Sequence, residues 1–285
     1  YVPAVFGAPT EDSHGTSASP TTDFNFVDVN GDGKMDKIYW NYGADSGKPA
    51  VYLSNGDGTF TYAAKITGAA STLPGTIYCY GDVNGDGKDD VMVWEPTLAT
   101  GHTRVFLATS AGNFSTTAIE NPENGSTTST TLYHLADVNG DGKADKIRWT
   151  ASYDSGRTRI NLATTAGSFN ATAVVDTDGA STTSGTNFYY ADVNNDNKCD
   201  KIMWQPTLNS GKTMVYLSDG NGLFTPSTSF SNSGASGTAT TTKFFFADIN
   251  GDGSADKIYW NPANFLGKLK IYYSGAGNTF EGPIY

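Results

Sequence analysis

The sequence predicts an all-β protein, a five-bladed β-propeller made of four-stranded antiparallel blades. Two observations carry that prediction. The string Asp-Val-Asn-Gly-Asp-Gly-Lys-x-Asp recurs in close variants from Asp28, Asp82, Asp137, Asp192 and Asp248, at intervals of 54 to 56 residues. A period of that length marks a repeat architecture with one supersecondary unit per repeat. Between successive strings lie four short runs of strand character, separated by turn residues and free of helical periodicity. Four antiparallel strands per unit, set around a ring, describe a propeller blade.

The fourth unit shows each element in order. Phe188-Tyr189-Tyr190-Ala191 leads into the loop Asp192–Asp200, and Lys201-Ile202-Met203-Trp204 leaves it. A turn ending Asn209-Ser210-Gly211-Lys212 precedes the run Met214–Ser218. Asp219-Gly220-Asn221-Gly222 then leads to a fourth run at Leu223-Phe224-Thr225. Phe60, Phe114, Phe169, Phe224 and Phe280 are expected to mark the fourth strand of each blade. Units of about 24–77, 78–131, 132–186, 187–242 and 243–285 then fill a single domain. Phe6 lies as far ahead of Asp28 as those phenylalanines lie ahead of their next loops. Residues 1–7 therefore read as a further fourth strand, with Val2–Phe6 expected to pair with the last blade and close the ring.

Composition narrows the function. Gly, Ser, Thr, Tyr and Phe are abundant, which favours strands and turns. No apolar run approaches the roughly 18–20 residues that span a bilayer, so no membrane insertion is expected. The formal charge of −11 argues against nucleic acid and anionic membranes as partners. Of 29 acidic residues, 15 are the three aspartates of each repeated loop, so the acidity reads mainly as a metal signature. A start at Tyr1 and the sequons at Asn113, Asn124 and Asn170 suit a secreted glycoprotein. Cys79 and Cys199 stand at different places in non-adjacent repeats, which disfavours a disulfide between them.

Each loop carries oxygen-bearing side chains at positions 1, 3, 5 and 9. These are Asp28, Asn30, Asp32 and Asp36; Asp82, Asn84, Asp86 and Asp90; Asp137, Asn139, Asp141 and Asp145; Asp192, Asn194, Asp196 and Asp200; and Asp248, Asn250, Asp252 and Asp256. Position 7 is Lys34, Lys88, Lys143, Lys198 or Ser254, expected to contribute its backbone carbonyl. This spacing suits Ca2+, a hard cation that takes six to eight oxygens. Position 12 lacks the glutamate of an EF-hand and the flanks are strands, so one calcium loop per blade, about five in all, is expected as a hairpin site. A site binding 10- to 100-fold below the ambient calcium level adds roughly 1.4–2.7 kcal/mol. Five such sites total about 7–14 kcal/mol, comparable with the stability of a whole domain.

The loop string, the apolar strand after it and the later Gly-x-Gly-x-Phe resemble the FG-GAP or VCBS repeat. That repeat is known from integrin α-chain propellers, from secreted bacterial and fungal proteins and from mushroom-type sugar-binding propellers. The resemblance covers essentially all of residues 6–285. It implies calcium ligands at Asp28, Asn30, Asp32 and Asp36 and at their counterparts in the other four loops.

The face opposite the loops is the candidate recognition surface. It is expected to carry Trp40, Trp94, Trp149, Trp204 and Trp260, followed after the turn glycine by Lys48, His102, Arg157, Lys212 and Lys268. Indole stacking on sugar C–H faces, multiplied by avidity, suits a lectin for glycans or glycoproteins. Ile38 and Trp40 alternate with Lys37 and Tyr39, a pattern that equally suits an indole packed between blades. His14, His102 and His134 occupy unrelated places, and no acid pair repeats outside the loops, so catalytic residues are not expected. A protein-binding adhesion module and a polysaccharide-active enzyme with a carboxyl pair drawn from two blades remain alternatives.

Overall fold

Strand-forming residues alternate through every unit, and the chain folds into the five four-stranded antiparallel sheets that they predict. The computed structural model describes residues 11–13, 17, 19–96, 101–110, 112–123, 125–263, 268–275 and 277–284. Blade 1 comprises β1 (Thr22–Val27), β2 (Asp36–Asn41), β3 (Ala50–Ser54) and β4 (Phe60–Lys65). Blade 2 comprises β5 (Ile77–Gly81), β6 (Asp90–Trp94) and β7 (Thr103–Phe106). A small hairpin of β8 (Ala108–Ser110) and β9 (Asn113–Phe114) follows, before the fourth strand β10 (Ile119–Asn121). Blade 3 comprises β11 (Thr131–Ala136), β12 (Asp145–Thr150), β13 (Thr158–Asn161) and β14 (Val174–Asp176). Blade 4 comprises β15 (Asn187–Ala191), β16 (Asp200–Trp204), β17 (Met214–Ser218) and β18 (Phe224–Ser227), followed by the one-turn helix α1 (Thr228–Ser231). Blade 5 comprises β19 (Lys243–Ala247), β20 (Asp256–Trp260), β21 (Lys270–Gly275) and β22 (Thr279–Ile284). The molecule is a five-bladed β-propeller. Among the described residues, no helix is long and apolar enough to cross a membrane.

Two expectations about the fourth strand need correction. Phe114 lies in the β8–β9 hairpin, and Phe169 makes only an isolated bridge to Ala163. In blades 2 and 3 the ladder resumes later, at Ile119 and Val174. The Ser115 hydroxyl accepts the Leu107 N–H, and the Asn161 amide donates to the Asn170 carbonyl. Those side chains take up backbone groups that a continuous ladder would use. The expected pairing of Val2–Phe6 lies outside the described residues.

The core lies between blades. Ile38 and Val51 of blade 1 cluster with Val91, Val93 and Phe106 of blade 2, and the next three seams repeat the pattern. Neighbouring loops are tied by backbone bonds. The N–H groups of Asp89, Ala144, Cys199 and Ala255 donate to the carbonyls of Asp28, Asp82, Asp137 and Asp192 at 2.6–2.8 Å.

Candidate functional site

The repeated loops close on their own first carboxylate. Gly31 and Asp32 donate backbone N–H groups to Asp28 Oδ1 at 2.8 and 3.1 Å, and Gly33 donates to Oδ2 at 2.7 Å. Glycine suits this path, because Gly31 and Gly33 have φ of +76° and +79°. Asp82, Asp137 and Asp248 take the same three donors from their loops. The fourth loop manages the turn with Asn195 and Asn197, both at positive φ.

Position 5 is neutralised from within. Lys34, Lys88, Lys143 and Lys198 place Nζ 2.7–2.9 Å from Asp32, Asp86, Asp141 and Asp196. The Lys34 bond holds the Asp32 carboxyl below the ordinary range. Ser254 supplies no such cation to Asp252.

Position 9 is a buried strut. Asp36 accepts N–H groups from Val29 and Ser54 at 3.1 and 2.8 Å, joining the loop to β3. Asp90, Asp145, Asp200 and Asp256 repeat both bonds and, like Asp36, are wholly buried. Burial pushes Asp90, Asp145 and Asp200 up to about 7 and raises Asp36 and Asp256 as well.

The donor set suits a hard cation. A carboxylate has about four lone-pair sites, and the two N–H groups on each position-9 aspartate leave acceptor capacity. Asn194 Oδ1 is buried without a hydrogen-bond partner, and an acceptor in that state calls for a donor or a cation. Among the described residues, however, no three His, Cys, Asp or Glu side chains gather as a group that could hold an ion. The lysine ammonium groups stand on the middle carboxylates instead.

At the opposite end, Trp40, Trp94, Trp149 and Trp204 are 1–4% exposed. Their rings pack on Tyr78, Tyr133, Phe188 and Phe244 of the following blade, with centroids 4.9–5.5 Å apart. Trp149 Nε1–H is shared between the Gly156 and Ser181 carbonyls at 3.0 and 3.1 Å, and Trp40 and Trp204 are held likewise. Trp94 donates to Ser126. These four indoles fill the seams, so the expected exposed stacking platform is corrected to a core role. Trp260 is half-buried.

Lys48, Arg157 and Lys212 directly follow Gly47, Gly156 and Gly211, whose carbonyls accept the indole N–H groups. Lys48, His102 and Lys212 are half-buried, and Arg157 and Lys268 are exposed. Lys212 donates to the Asn232 carbonyl, and Arg157 approaches Asp154 at 3.7 Å.

The recesses that do open here lie above the buried indoles. Between blades 3 and 4, a cleft of about 290 Å³ is bounded by Thr130, Leu132, Trp149, Ala151, Ser184 and Asn187. Between blades 1 and 2, a cleft of about 260 Å³ is bounded by Asp23, Phe24, Trp40, Thr76, Ile77 and Tyr78. The Ser/Thr-rich connections form the rims. Ser181 and Thr186 hydroxyls bond at 2.7 Å, as do Ser126 and Thr131, and Ser71 and Thr76 meet at 2.8 Å. The signal for these rims in the sequence is a threonine six residues before every loop, at Thr22, Thr76, Thr131, Thr186 and Thr242.

A second overlooked set comprises the lysines after position 9. Lys146, Lys201 and Lys257 are fully buried and reach into the preceding blade, towards Thr103, Thr158 and Thr213. Lys201 also meets the Asp176 carboxylate and the Asp178 carbonyl. Lysine at that position in four of five repeats was the available signal.

First strands from four blades enclose an axial cavity of about 260 Å³ lined by residues including Asn25, Tyr80, His134 and Tyr190. His134 Nε2 and the Tyr80 and Tyr190 hydroxyls are buried there without protein partners. Burial lowers His134 to about 4, so the folded protein binds this proton less readily than the unfolded chain. Its contribution is fully present above the unfolded value near 6.5 and is lost as pH falls through 6.5 towards 4. Over that window, denaturant titrations should show wild type losing up to about 3 kcal/mol relative to His134→Gln. Equal slopes in the two proteins would refute the assignment.

The FG-GAP-like repeat model matches residues 28–93, 82–148 and 192–259, more than half of the chain. The chain belongs to the FG-GAP-like repeat family. Each matched FG-GAP-like span runs from one aspartate loop through the second strand of the next blade. No curated protein matches in sequence. Among solved structures, an Agrocybe aegerita lectin described as recognising non-reducing terminal N-acetylglucosamine is 20% identical, with a TM-score of 0.65. The match covers 93% of this chain and 66% of that one, so the chain spans just under two thirds of the lectin's length. A TcdB2-TccC3 structure is 15% identical over 88% of this chain and 14% of that one, with a TM-score of 0.43. The likeness to the lectin establishes shared fold, and the FG-GAP-like family match establishes the repeat.

Proposed function

We propose that this propeller is a secreted, calcium-stabilised lectin that seats sugars in the clefts between blades. The cleft between blades 3 and 4 carries the reading. Its volume of about 290 Å³ lies at the lower end of the ~300–1,000 Å³ usual for small-molecule sites, a size suited to one sugar ring. Leu132, Ala151 and the edge of Trp149 offer an apolar floor, while Thr130, Ser184 and Asn187 offer hydroxyl and amide partners. That mix matches a pyranose, apolar on its C–H faces and polar around its rim. Among the described residues, no carboxylate lines this cleft and Asp23 is the one carboxylate lining the cleft between blades 1 and 2, which favours binding over hydrolysis. The lectin named above makes terminal N-acetylglucosamine the first sugar to try.

Ser184→Trp tests the site. Ser184 is exposed, so the larger side chain fills the cleft without a cost to the core. Titration calorimetry with N-acetylglucosamine should show one site fewer than wild type, with the melting temperature unchanged. Silence of wild type across a broad glycan array would refute the reading.

The five loops are the proposed calcium sites, held by the side-chain oxygens at positions 1, 3, 5 and 9 and the carbonyl at position 7. Calcium would supply positive charge beside carboxylates whose pKa burial otherwise raises. It would also displace the ammonium from the middle aspartates of the first four loops. The ion's role is structural, so removing it should lower the melting temperature by 10 °C or more, from the roughly 2–4 °C expected per kcal/mol in a chain of this size. A melting curve indifferent to chelator would exclude calcium from the fold.

A further inference from the structure

Three orphaned polar atoms belong to residues of one cavity. His134 Nε2 on β11 and the Tyr80 and Tyr190 hydroxyls on β5 and β15 are buried without a hydrogen-bond partner, and all three residues line the axial cavity. Among the described residues, those bounding the two clefts between blades carry no such atom. Buried polar groups are nearly always bonded, so three orphans around one cavity point to a partner from outside the chain. Two neighbouring groups are already engaged. The Tyr78 hydroxyl donates to the Ala69 carbonyl at 2.6 Å, and Cys79 Sγ donates to the Tyr133 carbonyl at 3.2 Å.

The chemistry of the wall selects the partner. Among the described residues, no charged side chain lines this cavity. Burial raises both phenols and lowers the imidazole, so the three groups are uncharged at neutral pH. An ion entering here would give up its hydration without meeting a counter-charge. A metal would find one imidazole and a thiol, Cys79, that burial pushes up to about 12. A neutral guest faces neither obstacle. A phenol both donates and accepts, and an imidazole nitrogen does one or the other by tautomer, which matches the hydroxyl group. The rings of His134 and Tyr190, with centroids 5.3 Å apart, add apolar surface for the C–H groups between hydroxyls. At about 260 Å³ the cavity far exceeds the ~10–15 Å³ that one water needs and falls just below the ~300–1,000 Å³ of drug-sized ligands.

We propose that the axial cavity is a binding site for a small uncharged polyol, held by His134 Nε2 and the Tyr80 and Tyr190 hydroxyls. The site adjoins the cleft between blades 1 and 2 through Asn25 and Tyr78. It shares no lining residue with the cleft between blades 3 and 4, on which the lectin reading rests.

Xylitol, an open-chain polyol, is the probe. Titrated into the full chain carrying isotope-labelled histidine, it should shift the His134 imidazole resonance along a saturable single-site curve, while His102 stays still. Tyr190→Phe deletes one hydroxyl, keeps the ring and should weaken binding at least tenfold. Tyr80→Phe should do the same, and serves alone if the first variant does not fold. Sugar binding between blades 3 and 4 is read separately through Ser184→Trp, so either site can fail without the other. Three results would overturn the proposal: no saturable shift at molar xylitol, equal curves for wild type and the tyrosine variants, or a xylitol-soaked crystal with only water in the cavity.

Discussion

Replacing Asp176 with leucine should cost about 3–5 kcal/mol, because it strands the fully buried Lys201 ammonium without its carboxylate. Lys201 retains the Thr158 hydroxyl and the Asp178 carbonyl, neutral acceptors that do not offset the charge. Desolvation lowers the Lys201 pKa and Asp176 opposes that shift, so the pair depends on the carboxylate staying in place. Lys201→Met together with Asp176→Leu should recover most of the loss, since apolar replacement of a whole buried pair is often neutral or stabilising. Urea titrations of the two single variants and the double variant complete the cycle. A loss below about 1 kcal/mol for Asp176→Leu alone would mean that the pair is solvated and not a clasp between blades.

Gly156→Ala should be comparably damaging for a steric reason. Gly156 ends a left-handed turn in which Asp154 and Ser155 also have positive φ, and its own φ is +71°. A Cβ there would stand 2.0 Å from the Ser181 carbonyl oxygen, an approach that backbone cannot tolerate. The left-handed conformation costs an L-residue about 1–2 kcal/mol, and forced displacement of packed backbone adds about 1–3 kcal/mol. The same contact carries the Ser181 N–H bond to the Gly156 carbonyl at 2.9 Å and the shared bond from Trp149. The variant should therefore lose sugar binding in the cleft between blades 3 and 4 as well as stability. Gly185→Ala is the control: its φ is +91°, but nothing stands within 4 Å of an added Cβ, so only the conformational cost applies. Equal losses in the two variants would show that crowding against Ser181 is not the cause.

The fold was legible because its period is written in residues that physics restricts narrowly. Aspartates that accept their own loop's N–H groups, and glycines at positive φ, repeat wherever the chain makes that turn. The fourth strands of blades 2 and 3 were misplaced because Ser115 and Asn161 divert backbone hydrogen bonds, a local effect that hydrophobic alternation does not encode. The site was only half legible. An indole ending a strand fits a ligand platform and a core seam equally well, and only the ring contacts with Tyr78, Tyr133, Phe188 and Phe244 separate them. The clefts escaped notice because they are composed from two blades, with Thr130 and Leu132 facing Ser184 and Asn187 across a seam of about 55 residues. The buried lysines escaped because a Lys on a strand reads as solvated until its neighbour across the seam is known.

A crystal grown with N-acetylglucosamine tests the central claim most directly. We predict a sugar ring above the edge of Trp149, between Leu132 and Asn187, with Thr130 or Ser184 within hydrogen-bonding distance of its hydroxyls. An empty cleft at millimolar sugar, or a sugar bound only away from the blade junctions, would contradict it.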